Sequence, residues 1–411
     1  MTMTAPQAYA YKGRDGAGKL VKGRVEAPSE SAVVARLRSM GVSPVSIDPV
    51  AEGTGLQMEI GGEFFKKSVK LKDLAIMARQ LSTMMGAGLT LLRALTILAD
   101  QTESKELGKT LGAVRQQVEG GSSLSEAFAR FPIIFPPMMI HLVRAGETGG
   151  FLDRALDSIA GTFEADVKLR QTIKSALTYP VIVLIMALVA VAAMLIFIVP
   201  VFQGMFKSLG GALPLPTQIL VVLSQQMVWL GPLILVVIVA FTFWWRRNKH
   251  LEKVRAVVDP LRLKLPVFGA LFTKIAVARF ARNFGTMSGA GVPVLQSLAI
   301  VGETSGNWVV ERALQKVQDS VRSGRTIAEP LSESPVFPSM VTQMVAVGED
   351  AGALEPMLHK IADFYEAEVQ STTEQLASLI EPLMIGVIGV IVGGMIIALY
   401  MPMFTIYNSI H

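Results

Sequence analysis

Three stretches of the chain are apolar and uncharged over a length that matches a lipid bilayer. Residues 181–199 read VIVLIMALVAVAAMLIFIV, residues 227–245 carry Gly231-Pro232 near their start, and residues 383–401 read LMIGVIGVIVGGMIIALYM. A spanning helix needs roughly 20 mostly apolar residues, so each stretch predicts a transmembrane helix, the second reaching upstream through Ile219. Elsewhere the period is that of amphipathic helices. Met77, Leu81, Met84 and Met85 recur at helical spacing, and Leu91, Leu95 and Leu98 resume after the Gly86-Ala87-Gly88 break. Gly120-Gly121, the loop 131–137 and Gly149-Gly150 predict further helix ends. From 151 to Pro180 the only glycine is Gly161, which predicts one long helix running into the first span. The start of the chain alternates instead: Tyr9, Tyr11, Leu20, Val21 and Val25 flank an Asp15-Gly16 turn as in a hairpin. Residues 29–40 read as an amphipathic helix capped by Ser29 and stopped by Gly41, with Val45 and Ile47 in a third short strand.

The pattern repeats. Gly86-Ala87-Gly88 recurs as Gly289-Ala290-Gly291, and Gly121 as Gly324 at the same offset. After a one-residue deletion Phe135-Pro136 matches Phe337-Pro338, Gly146-Glu147 matches Gly348-Glu349, and Glu164-Ala165 matches Glu366-Ala367. Tyr179-Pro180 then matches Glu381-Pro382, and Pro200 with Phe202 matches Pro402 with Phe404. Two copies therefore occupy about 73–204 and 274–406, each a helical portion followed by its own span. The middle span reinserts the chain so that both copies point the same way, unlike the inverted repeats of many transporters. The expected organisation is an N-terminal ββαβ-like cytosolic subdomain (1–48), a linker (49–72), a first cytosolic helical bundle (73–175) and transmembrane helix 1 (176–200). A short outer loop (201–216), transmembrane helix 2 (217–245) and a cytosolic linker (246–273) follow. A second bundle (274–376), transmembrane helix 3 (377–402) and an outer tail (403–411) complete it.

Composition agrees with a membrane protein: 51% of residues are hydrophobic and 17% charged, against about 25% charged in an average soluble domain. The absence of Cys excludes disulfides, thiolate metal sites and a thiol nucleophile. The net charge of +5 has a positional explanation. Lys168, Arg170 and Lys174 precede the first span, and Arg246, Arg247, Lys249, Lys253 and Arg255 follow the second. Residues 201–216 hold only Lys207, and no Lys or Arg follows Met401. By the positive-inside rule the chain is a multi-pass inner-membrane protein with its N-terminus cytosolic and its C-terminus outside. The opening MTMTAPQAYAYKGRDG has no apolar signal core, which agrees with a cytosolic start. The approach to the third span is acidic, with Asp363, Glu366, Glu368 and Glu374, and acidic residues weigh little in this rule. The basic residues thus face the lipid bilayer, and no nucleic-acid partner is expected, since no basic stripe with interleaved aromatics is present.

Candidate chemistry is thin. Residues 13–19, GRDGAGK, fit GxxxxGK, but Leu20 stands where Ser or Thr should hold magnesium, and a hairpin turn replaces the strand-to-helix context. This is a surface turn, so ATP-driven work would come from a partner. There is no HExxH, no GxSxG and no carboxylate pair within a span, so no catalytic, cofactor or metal residues are expected. His141 and His359 read as satisfied or solvent-facing helix residues. Glu381-Pro382 opens the third span, where a carboxylate must face other helices or headgroups. In the same span Gly386, Gly389 and Gly393 predict a close helix–helix contact. The turns Gly146-Glu147 and Gly348-Glu349 read either as helix stops with a solvated Glu or as partner, metal or subunit contacts. Asp153 and Glu355 could then add oxygen ligands for a cation.

The duplicated pattern GAG, GE, xGxL, EP and Pro-x-Phe, with three spans so placed, resembles the type II secretion F and type IV pilus C family of inner-membrane platform proteins. The opening YKGRDGAGKLVKGRVEAPSESAVVARLRSMGVSPVSI is similar to that family's N-terminal segment, so the resemblance covers nearly the whole chain. It implies a mainly α polytopic membrane protein with two homologous cytosolic six-helix bundles, three transmembrane helices and a small N-terminal α+β segment. It further implies a non-enzymatic scaffold without cofactor, whose bundles contact a hexameric assembly ATPase and whose spans contact pilin or pseudopilin subunits. Other inner-membrane assembly components and further copies of the chain would be its remaining partners. The Gly-Glu turns and the loops at Phe135-Pro136 and Phe337-Pro338 would belong to the bundles that meet this machinery. Tyr179 departs from the Glu-Pro of the second copy, which puts a shared role of that position in doubt. Pilus assembly and secretion both stay open. The rival reading is a small transporter or channel, against which stands the scarcity of polar residues in the spans: Ser224, Gln225 and Gln226 lie at the edge of the second.

Overall fold

The computed structural model describes residues 7–14, 20–27, 30–39, 43–49, 69–208, 213–249 and 251–409, and the chain divides into two units after Lys67. In the first, β1 (Gln7–Arg14) and β2 (Leu20–Ala27) pair antiparallel with Tyr9 opposite Val25. Then come α1 (Glu30–Ser39) and β3 (Ser43–Pro49), giving a sheet of order β2-β1-β3 with a register shift at Lys12/Gly13. Helix α1 buries Val33 and Leu37, one turn apart, as an amphipathic helix on a small sheet must. The Asp15-Gly16 turn, Ser29, Gly41 and most of the linker lie outside the described residues.

Six helices build the first copy of the repeat: α2 (Leu71–Gly86), α3 (Leu91–Gln101), α4 (Lys105–Glu119), α5 (Leu124–Ala129), α6 (Pro137–Gly149) and α7 (Leu152–Ala193). Gly150 closes α6 in the left-handed conformation at φ 72°, which glycine adopts without steric cost. Helix α7 continues through Pro180 for 42 residues, about 63 Å at 1.5 Å per residue. It widens into a π turn over Met194–Ile198 and resumes as α8 (Val199–Ser208). The segment expected as an outer loop is therefore helical to Ser208, held by buried Phe206 and by Phe202 edge-on to Tyr400. After α9 (Leu215–Asn248) comes α10 (Glu252–Lys264), a packed helix inside the segment expected as a linker. The second copy is α11 (Phe268–Gly289), α12 (Val294–Thr304), α13 (Trp308–Arg322), α14 (Ala328–Ser332), α15 (Ser339–Asp350) and α16 (Leu354–Ser409).

The two sets of helices share one buried core, which runs from Leu81, Leu95, Phe128 and Leu156 to Phe280, Leu298, Leu314 and Leu358. In each copy the first helix lies along the long last one, α2 on α7 and α11 on α16, and α6 and α7 pack on α11, α12 and α16. This joint contains a buried hydroxyl pair, Thr162–Thr286 at 2.9 Å, and the Arg279–Asp166 ion pair at 2.9 Å. Leu169, Leu271, Val369 and Leu376 extend it along the long helices.

A separate cluster, formed by Leu195, Val199, Leu220, Val221, Met395, Ala398 and Leu399, joins the spans toward their Pro200 and Pro402 ends. The Thr217 hydroxyl donates to the Ala398 carbonyl of α16 and the Ser224 hydroxyl to the Leu195 carbonyl, both at 2.5 Å, the second within the π turn that follows α7. Among the described residues three helices are long and apolar enough to cross a membrane. They lie within Leu152–Phe206, Trp229–Asn248 and Leu354–Phe404, with mean hydropathies of 3.3, 1.7 and 2.5 in their spanning windows.

Candidate partner-contact site

The paired Gly-Glu turns have matching internal roles. Glu147 sits in the last turn of α6, and its carboxylate accepts the backbone N–H groups of Leu124 (2.5 Å) and Ser125 (3.1 Å) at the start of α5. Glu349 does the same for α14, accepting from Ile327 (2.8 and 2.9 Å) and Ala328 (3.2 Å). The first N–H groups of a helix have no partner within it and carry its positive dipole end, so an anion placed there stabilises it. Gly146 and Gly348 bring the next helix close enough for this arrangement. A Cβ on Gly146 would lie 2.6 Å from the Ala155 Cβ and 3.0 Å from the Leu152 Cα, and one on Gly348 would lie 3.1 Å from the Leu354 Cα. Glu355, raised above as a cation ligand, packs against Gly289, where a Cβ would lie 2.5 Å from its carboxyl carbon. Among the described residues no group of three or more His, Asp or Glu side chains is placed to hold a metal ion.

Phe135 and Phe337 point inward. Phe135 is fully buried and stacks on Phe128 at 4.1 Å between ring centroids, while Phe337 meets Phe280 edge-on at 4.9 Å. Pro136 and Pro338 precede α6 and α15 with φ of −62° and −60°, the angle the ring imposes, and so direct the chain into each helix. What the first loop leaves outside is Ile133, 99% exposed. A partner approaching this loop meets Ile133 rather than the paired phenylalanines.

Two arginine clusters went unpredicted. Arg79 on α2 binds both oxygens of Glu164 on α7 at 2.8 Å and also pairs with Asp157. Its counterpart Arg282 on α11 reaches Glu366 (2.9 Å), Asp363 (2.5 Å) and the His359 Nδ1 (3.3 Å) on α16. The signal was available: an arginine stands the same distance before each Gly-Ala-Gly break, and the glutamates were already aligned. Hydrogen bonding to Arg79 holds the Glu164 carboxyl below the usual carboxylate range. Burial, reinforced by Arg282, pushes His359 down, and burial with Arg144 nearby does the same to His141. His141 accepts from the Gln296 amide at 2.9 Å, a bond between the two copies.

In the third span Glu381 and Pro382 are exposed on α16. A Cβ built on Gly386, Gly389 or Gly393 meets nothing within 4 Å, so the close helix contact expected of this row is not made among the described residues. The spans meet further along, at Met395 and Ala398, leaving this face open.

These features define a polytopic α-helical membrane protein built from two parallel copies of one unit. The family model for type II secretion system (T2SS), protein F matches residues 77–200 and 280–402, one match per copy, and that for the protein F N-terminal domain matches 3–48. The chain belongs to this family. It is 42% identical to the type IV pilus assembly protein PilC of Thermus thermophilus, over 98% of both chains. It is 38% identical to the protein of the same name from Myxococcus xanthus, over 99% of this chain and 96% of the relative. With the type II secretion system protein F of Xanthomonas campestris it shares 32% identity over 98% and 99% of the two chains. Family and apolar helices together fit an inner-membrane protein.

Proposed function

We propose that this chain is a non-enzymatic inner-membrane platform of a type IV pilus assembly or type II secretion machine. In this role it couples a cytosolic assembly ATPase to the insertion or extraction of pilin or pseudopilin subunits. The observation that carries this reading is the continuity of α7 and α16, each of which belongs both to the shared core and to a span. A tilt imposed on the bundles is then transmitted to the membrane along one continuous helix, through Pro180 in α7 and Pro382 in α16. The glycine row of α16 supports the other half of the reading, because its unfilled face admits a second apolar helix closely. Pilus assembly is the favoured arm, since the relatives of that name are 42% and 38% identical against 32% for the secretion protein. Lys/Arg placement puts the bundles and N-terminus in the cytosol and the C-terminus outside, and leaves Glu381 at headgroup level. The exposed loop around Ile133 is a candidate ATPase contact, and further copies of the chain complete the platform.

The variant Ile133→Asp tests this. Its side chain is 99% exposed, so the change leaves melting within roughly 0.5 kcal/mol of the parent. ATPase co-purification and filament yield are expected to fall together. Retention of both at parental levels would remove this loop from the coupling path.

A further inference from the structure

Helix α10 packs Leu263 on the core but leaves a second apolar stripe on its outer side. Two of its polar residues face the protein: Asp259 is 5% exposed and accepts the backbone N–H of Trp308 at 2.9 Å, and Arg255 pairs with Glu311 at 2.8 Å. Two of its apolar residues face outward. Val257 is 68% exposed and Leu261 60%, one turn apart along a single stripe. Lys253 and Lys264 are exposed along the same side. A stripe of this kind is stable against a medium that is apolar and bordered by negative charge.

The position of α10 identifies that medium. It begins just after α9, whose last turns carry Trp244, Trp245, Arg246 and Arg247, the aromatic and basic residues that mark a membrane–water boundary. It does not then lead away from that depth, because the Arg262 guanidinium, near its far end, still lies over the Trp245 ring at 5.6 Å. Between the two helices is a cavity of about 490 Å³ lined by Arg170, Lys249, Arg255 and Arg262 as well as Asp259 and Glu303. Its acids partly balance its cations. The outward lysines therefore carry the preference for anionic lipid, and the cavity is not assigned a ligand. Glu252, the acidic residue of the first turn, is paired with Arg312 at 2.7 Å.

We propose that α10 is an interfacial helix. It rests on the bilayer beside the second span, with Val257 and Leu261 at the boundary of headgroups and acyl chains and Lys253 and Lys264 on anionic phospholipid headgroups. The proposal depends on the reading of α9 as a membrane span, and its test separates the two. The chain has no Cys, so Leu261→Cys, Glu252→Cys and Val237→Cys each give a single labelling site for an environment-sensitive fluorophore. Each full-length variant is reconstituted in nanodiscs of phosphatidylcholine, with or without phosphatidylglycerol, and quenched by iodide or by doxyl lipid. At position 261 the doxyl lipid should quench and iodide should not, with stronger protection when phosphatidylglycerol is present. Position 252 should show the reverse, and K253Q/K264Q should remove the phosphatidylglycerol dependence. Iodide quenching at 261 with doxyl quenching retained at 237 overturns the interfacial helix and leaves the span intact. Loss of doxyl quenching at 237 overturns the span reading and the proposal with it. Protection at 261 from both quenchers means that protein, a second copy or another chain, covers the stripe, and this too overturns the proposal.

Discussion

Phe135→Ala lowers the melting temperature of the detergent-solubilised chain by on the order of 10 °C, whereas Ile133→Ala, two residues away, changes it little. The two side chains belong to one loop but to different environments. Phe135 is fully buried, stacked on Phe128 and continuous with the core that joins both copies, while Ile133 is 99% exposed. Truncating a buried Phe costs about 3–5 kcal/mol, from lost transfer energy and the cavity left behind. Because the core is shared, the loss should be felt in the second copy as well, as a single broadened or shifted transition rather than two independent ones. An unchanged melting temperature would mean that the loop is not packed as described.

Glu349→Ala has the second largest effect and distinguishes the copies. Helix α14 spans five residues and its N-cap, Ile327, offers no side-chain acceptor, so Glu349 supplies the acceptor for both Ile327 and Ala328. A helix this short has no stability of its own. In the first copy α5 also has a capping box, in which the Ser123 hydroxyl accepts from Glu126 and the Glu126 carboxylate from Ser123. Loss of hydrogen bonds to a charged group costs about 1.5–3 kcal/mol. Glu349→Ala should reach the upper part of that range and Glu147→Ala the lower, with Glu349→Gln intermediate because it keeps one acceptor oxygen. Thermal unfolding of the three variants checks the order. Equal effects of the two alanine variants would show that the capping box adds nothing in the first copy.

How far the structure could be read beforehand differs from element to element, for physical reasons. The spans were legible because a bilayer imposes a length and an apolar composition that few other environments require. Continuity of α7 followed from the lack of helix breakers before Pro180, and Pro180 itself proved to lie within the helix. Helix α10 was missed because burial does not follow hydrophobicity along it: Asp259 is buried while Val257 and Leu261 are exposed. The Gly-Glu turns were recognised as repeated, but their roles depend on α5 and α14 arriving from more than twenty residues away, which local pattern does not encode. The glycine row on α16 illustrates the opposite limit. Small residues permit a close contact without naming the partner, and among the described residues that contact is not made.

The most direct test of the platform reading is photocrosslinking from Val390. This residue is 76% exposed and lies beside Gly389 on the open face of α16. A photoreactive amino acid is placed there in the full chain, in cells actively assembling or secreting, and the crosslinked products are identified by mass. The account predicts a covalent adduct with the N-terminal helix of a pilin or pseudopilin, which disappears when the assembly ATPase is inactivated. Adducts with lipid alone, in cells where filaments or secretion proceed normally, would contradict it.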